Sequence, residues 1–159
     1  MRDHTWARTA GVVAALIAGV LCIGCSADDP NVSLEIRIVQ GTPADHLTKM
    51  TMVVWGGQWT YYARDEVLLT EEDVITAIVV TQDNGAPAMR LTLSKEGQEK
   101  LLRVTQNNVG SKLGVIINGR LQCASRIDAP VDTGIVMVTG HMLEHGAKRC
   151  SRALARGAA

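Results

Sequence analysis

Residues 112–127, KLGVIINGRLQCASRI, constrain this chain more than any other stretch. Leu113, Val115 and Ile117 alternate with Lys112, Gly114 and Ile116. Beyond Asn118-Gly119, Leu121, Cys123, Ser125 and Ile127 alternate with Gln122, Ala124 and Arg126. Alternation with a period of two marks a strand with one face turned to a core. Asn and Gly both tolerate positive φ, which a type I′ turn needs at its two central positions. The stretch therefore predicts a two-residue β-hairpin. So short a turn fixes the register, so the inward sets of the two arms are determined together. The expected inward set includes Cys123.

The flanking segments read as cover for that hairpin. Residues 33–39 alternate with Leu34, Ile36 and Ile38 on one side, and Gly41-Thr42-Pro43 ends the run. Residues 48–55 follow, with Met50, Met52 and Val54 sharing a face. Gly56-Gly57 breaks this run, and residues 58–63 resume in β-prone aromatics. Thr70-Glu71-Glu72-Asp73 has capping-box spacing and predicts one helical turn. Residues 77–82 are strand-like, Asp83-Asn84-Gly85 is a turn before Pro87, and residues 88–93 turn Met89, Leu91 and Leu93 inward.

Ser94 opens the clearest helix as its N-cap, with Glu96 in the first turn. Glu96/Lys100 and Glu99/Arg103 are spaced for i,i+4 pairs, and Gly97, Leu101, Val104, Thr105 and Asn108 form the inward stripe. Gly110 is the expected stop. A last strand is expected over 135–139. A second helix is expected over 142–156, with Leu143, Ala147, Cys150 and Leu154 on one face. The economical architecture is α+β, a mostly antiparallel sheet with two amphipathic helices packed on one face.

The N-terminus has a different character. Arg2 and Arg8 precede an apolar run over 10–23, a secretory signal by its basic flank and short core. Fourteen residues are too few for a comfortable membrane span. Gly24-Cys25-Ser26 resembles a bacterial lipobox, with Cys22 where that pattern prefers Leu. The resemblance implies cleavage before Cys25 and attachment of diacylglycerol to its thiol, so that the residue carries several acyl chains such as palmitate. Several chains on one cysteine anchor stably, where one does not. The expected organisation is a signal over 1–24, a lipid-anchored tether over 25–32 and one domain over 33–159. That places the domain at the extracytoplasmic face of a bacterial membrane.

Composition narrows the classes. The 159 residues carry no net charge, no Phe and 3% aromatics, so the core must be aliphatic. Balanced charge offers no electrostatic case for nucleic acid. The basic residues Lys148, Arg149, Arg152 and Arg156 read as a solvated helix face.

The order of motifs from Gln58 onward resembles the head subdomain of the first periplasmic domain of SecD, in the SecDF protein-export translocase family. The residues that carry the likeness are Tyr61-Tyr62, Leu69-Thr70 with Asp73, Gly85 with Pro87, and Leu93-Ser94 with Glu96-Gly97. They continue through Thr105, Asn108 and Gly110, the turn Asn118-Gly119, Val138-Thr139-Gly140, and the close at 155–158. Two departures stand out. Asn118 replaces the family's Asp, and Cys123-Ala124-Ser125 stands where the family has Ser-Ala-Pro. The chain also ends where SecD continues into membrane helices. The resemblance thus implies a fold and an extracytoplasmic setting, not translocase activity.

Three constellations could carry chemistry. His141-Met142-Leu143-Glu144-His145 matches the H-x-x-E-H string of inverted zinc proteases, with His46 as an upstream third ligand. Against a zinc hydrolase, the string falls where the SecD head has a polar helix start. Cys123 and Cys150 both fall on predicted inward faces, and outside the cytoplasm such a pair reads as a disulfide. Trp55, Trp59, Tyr61 and Tyr62 crowd into eight residues and would form an apolar ligand-binding strip wherever they are exposed. The expected function is a non-catalytic binding module without cofactor or metal. Its expected partners are the membrane through the lipid, and an unfolded exported polypeptide or an envelope protein complex.

Overall fold

The computed structural model describes residues 32–54, 56–140 and 151–152. In chain order the strands are β1 (Leu34–Gln40), β2 (Leu47–Val54), β3 (Gly57–Arg64) and β4 (Leu69–Thr70). A 3-10 turn, Glu71–Asp73, leads into β5 (Val74–Thr81) and β6 (Pro87–Leu93). Helix α1 (Lys95–Asn107), β7 (Lys112–Ile117), β8 (Arg120–Arg126) and β9 (Ile135–Thr139) complete the described elements.

The strands form two antiparallel sheets, where the sequence suggested one. The first is ordered β2-β3-β1-β7-β8, with β4 also paired to β1; the second is ordered β5-β6-β9. The split occurs at the 3-10 turn. β4 holds β1 for only two residues, Glu35 opposite Thr70 and Ile36 opposite Leu69, before the chain swings away into β5. Among the described residues α1 is the only helix of any length. The second expected helix lies outside them except for Ser151 and Arg152, whose backbone is helical. The class is thus a mainly antiparallel α+β fold.

The main core joins the two sheets. Leu34, Ile36, Leu69, Val115, Ile117 and Cys123 of the first sheet meet Val74, Met89, Leu91, Leu93 and Val138 of the second, with Leu101 of α1 among them. Among the described residues no aromatic ring joins this cluster, in keeping with an aliphatic core.

The hairpin forms with its predicted turn. Asn118 and Gly119 have φ of 49° and 72°, and Ile117 lies opposite Arg120. Asn118 also grips β1: its Oδ1 accepts the Ser33 N–H, and its N–H donates to the Ser33 carbonyl, both at 3.0 Å. One expectation fails. Val115 opposes Cys123 but Ile116 opposes Leu121, so Gln122 is the extra residue of a β-bulge. The bulge puts Leu121 and Cys123 on opposite faces. Cys123 joins the main core, and Leu121 joins a second cluster with Val39, Tyr61, Ala63 and Ile116. β7 is buried on both sides from Gly114 to Ile117, so alternation alone could not assign its faces.

That second cluster exists because the first sheet curls. Its terminal strands β2 and β8 come back beside one another, enclosing the face that carries Val39, Tyr61 and Leu121. Gly114 is small for this reason. A Cβ there would lie 2.5 Å from Val39 Cγ1 and 3.0 Å from Leu121 Cδ1.

Helix α1 starts as read from the sequence, with Ser94 Oγ accepting the Gly97 N–H at 3.1 Å. Gly97, Leu101 and Thr105 are its buried positions. Thr105 Oγ1 donates to the Leu101 carbonyl and accepts the Val131 N–H at 2.9 Å, which ties the loop before β9 to the helix. Lys100 does not pair along the helix with Glu96. It reaches Asp73 Oδ1 at 2.7 Å, across to the 3-10 turn.

Candidate binding surface

The β2–β3 hairpin carries the aromatic group. In β3, Trp59, Tyr61 and Ala63 share one face by the period of two, and Thr60 and Tyr62 share the other. Across the ladder Met52 opposes Trp59 and Met50 opposes Tyr61, so these four side chains stand together.

Burial divides them. Tyr61 is only 8% exposed and packs with Val39, Ile116 and Leu121 inside the curl. Lys112 caps it, with Nζ 4.9 Å from the ring centroid and donating to the Tyr61 hydroxyl at 3.4 Å. Trp59, two residues nearer the hairpin tip, is 59% exposed. Tyr62 is half-buried on the opposite face, and Trp55 lies outside the described residues. Trp59, Tyr61 and Tyr62 are therefore not one continuous exposed strip. Tyr61 anchors the base of the hairpin, and Trp59 is the ring that the hairpin presents to solvent, with half-buried Met52 opposite it. The methionines were legible as a strand face in the sequence, but their pairing with the rings is a product of register.

The other expected sites fall as follows. Cys123 is buried and bridged to no cysteine among the described residues, and its expected partner Cys150 lies outside them. Burial pushes the Cys123 pKa up, opposed by hydrogen bonds involving Thr139, Val115 and Ser125. Little thiolate then exists near neutral pH, which makes Cys123 a poor nucleophile. A thiol reagent is accordingly expected to label Cys123 slowly in the folded protein and fast after denaturation, as read by intact mass. Labelling that needs a reductant as well as denaturant would mark a bridge to Cys150 instead.

Cys25, His141 and His145 also lie outside the described residues. His46 is exposed, with φ of 64°. Among the described residues no cluster of His, Cys, Asp or Glu has the arrangement of a metal site. A concavity of about 420 Å³ between α1, the β7–β8 hairpin and β9 is lined mainly by apolar groups such as Leu101, Leu113, Ile127 and Val136. Its charged rim is Arg126 and Asp128, an exposed pair 3.2 Å apart. Among the described residues this gives surfaces of apolar character and no assembled acid–base or nucleophilic set.

The model of the SecDF P1 head subdomain matches residues 46–159. This chain belongs to the SecDF P1 head family. The match starts upstream of Gln58, where the sequence motifs began, and takes in all of β2 and β3. β1 lies before it, although it is central to the first sheet.

Relatives agree with the assignment. This chain is 33% identical to the protein translocase subunit SecDF of Thermus thermophilus over 73 residues, 46% of this chain and 10% of that protein. It is 24% identical to the protein translocase subunit SecD of Rickettsia bellii over 130 residues, 81% of this chain and 24% of that protein. The chain thus spans a quarter or less of these relatives' length. A solved structure of SecDF, a membrane component that enhances protein export, superposes with a TM-score of 0.62 at 22% identity, covering 78% of this chain and 62% of that one. That likeness is one of fold.

Proposed function

We propose that this SecDF P1 head is a non-catalytic binding module at the extracytoplasmic face of a bacterial membrane, and that its ligand is unfolded polypeptide in the course of export. A lipid on Cys25 would hold it at the membrane. The relatives are translocase subunits, which supports an export-linked role for the shared head. The observation that carries the reading is Trp59. A large ring, mostly exposed beside Met52, projects from a hairpin whose base is fixed by the buried Tyr61. An aromatic held on a rigid strand contributes much contact area at little entropic cost, the usual anatomy of a binding hot spot.

The test is Trp59→Ala. Affinity for a permanently unfolded model protein, measured by fluorescence anisotropy, is expected to fall about thirtyfold, a typical hot-spot loss. Urea-measured stability should move by no more than about 0.5 kcal/mol, as for an exposed site. Stability lost in step with binding would make Trp59 a packing residue and remove the basis of the reading. The anchor has its own check: Cys25→Ala should shift the protein from the membrane to the soluble fraction, and retention at the membrane would exclude Cys25 as the attachment point.

A further inference from the structure

The second sheet leaves β5 as an open edge. β5 pairs with β6 on one side, and among the described residues nothing pairs with its other side. Its sequence, VITAIVVT, contains no charge and no proline, and every residue but Ala77 is β-branched. Sheets normally protect an edge of this length with Lys, Pro or inward charges. The first sheet follows that habit, with Lys49 in β2 and Arg120 and Arg126 in β8. In β5 the single irregularity is a bulge near its start, where Ile75 has no partner between Val74 and Thr76.

The ladder shows which backbone groups point outward. Gln82 donates its N–H to the Ala86 carbonyl at 2.9 Å, just past the end of β5. Bonded pairs alternate along an antiparallel ladder. Val80 with Ala88 and Ile78 with Arg90 are therefore bonded pairs, and Ala77, Val79 and Thr81 turn their N–H and C=O groups away from β6. Pro87, opposite Thr81, fits this phase, because the β5–β6 ladder asks for no N–H there. The side chains beside the edge are apolar and accessible: Ile75 and Ile78 are 51% and 42% exposed.

We infer that the β5 edge receives an extended apolar segment of unfolded polypeptide as an added strand, bonded through the outward N–H and C=O groups of Ala77, Val79 and Thr81. Only another extended backbone presents donors and acceptors at that alternating spacing. The uncharged, β-branched edge selects for apolar segments, which are what an unfolded chain exposes. The inference rests on the reading of this head as a binder of exported polypeptide. It adds a second contact on a different sheet from Trp59.

Amide exchange followed by NMR on the whole domain tests it, with a capped seven-residue peptide alternating valine and threonine as the probe. The amides of Ala77, Val79 and Thr81 should exchange freely alone and at least about tenfold more slowly with peptide, while Ile78 and Val80 stay protected throughout. Thr81→Pro removes one outward N–H without taking a bond from β6, and should weaken the peptide about tenfold. Ile78→Lys places a charge beside the edge and should weaken it similarly, giving a second readout should the proline variant not fold. Unchanged affinity in both variants would overturn the edge, as would protection confined to β2 and β3. Protection that rises with protein concentration and no peptide would assign the edge to a second copy and also overturn it. Unfolded model protein still bound through Trp59 in any of these cases would leave the proposed function standing. Failure to bind either probe would remove both.

Discussion

Ile36→Ala is expected to lower the unfolding free energy by about 3 kcal/mol, within the range of about 2–5 kcal/mol for truncating a buried Ile. The residue is fully buried in the main core. It lies between Val115 of β7 and Leu69 of β4, and its carbonyl accepts the Leu68 N–H at 2.9 Å. A single domain has only about 5–15 kcal/mol of net stability, so a large share would be lost. Urea titration of the variant measures it directly. Ile36→Val should cost about 0.5–1.5 kcal/mol, since it leaves a smaller void. The result bears on the limits of the fold, because β1 precedes the family match at residue 46. A change under about 0.5 kcal/mol, the size of a surface effect, would mean that the matched segment stands without β1.

Asp73→Ala should destabilise by about 2 kcal/mol, the scale of a lost hydrogen bond to a charged group. The side chain is 5% exposed. Oδ2 accepts the Thr70 N–H at 3.0 Å, closing the 3-10 turn, and Oδ1 meets Lys100 Nζ at 2.7 Å. The main-chain oxygen of Asp73 also accepts the Ser94 N–H at 2.8 Å, so this residue joins the sheet crossover to the start of α1. Lys100 is half in solvent, and Lys100→Ala should cost less than about 1 kcal/mol. The ordering is the test. Equal losses in the two single variants would mean that the ion pair, and not the turn, is what Asp73 supplies.

The local chemistry of the fold was legible in advance because it depends on few residues. Asn118-Gly119 set the hairpin turn, Ser94 set the helix start, and Thr70 with Asp73 set the 3-10 turn. Each uses a backbone geometry that its own side chains specify. What could not be read depends on distant partners. Lys100 had two acids in reach, and tertiary placement chose Asp73 over Glu96. The bulge at Gln122 was hidden because β7 is covered on both faces, where a period of two assigns nothing. The division into two sheets followed from the brevity of β4, and strand length is poorly marked at Leu69-Thr70. At the candidate surface the cluster of rings was visible, but its division was not. Tyr61 and Trp59 have the same parity, and only the curl of the sheet makes one a core residue and leaves the other in water. The β5 edge was also hidden, since a run of β-branched residues reads the same in a central strand as at an edge.

The place of β1 has a mechanical meaning. Any pull that reaches the domain through residues before Leu34 enters at the end of a strand bonded on both sides, to β7 on one and to β4 and β3 on the other. One component of such a force runs along the strand axis. It loads the ladder bonds in shear, all together, instead of peeling them one by one. The clasp between Ser33 and Asn118 stands first in that line and is the joint expected to yield first. A head built this way can bear a pull at the start of β1 while its two sheets keep their shape.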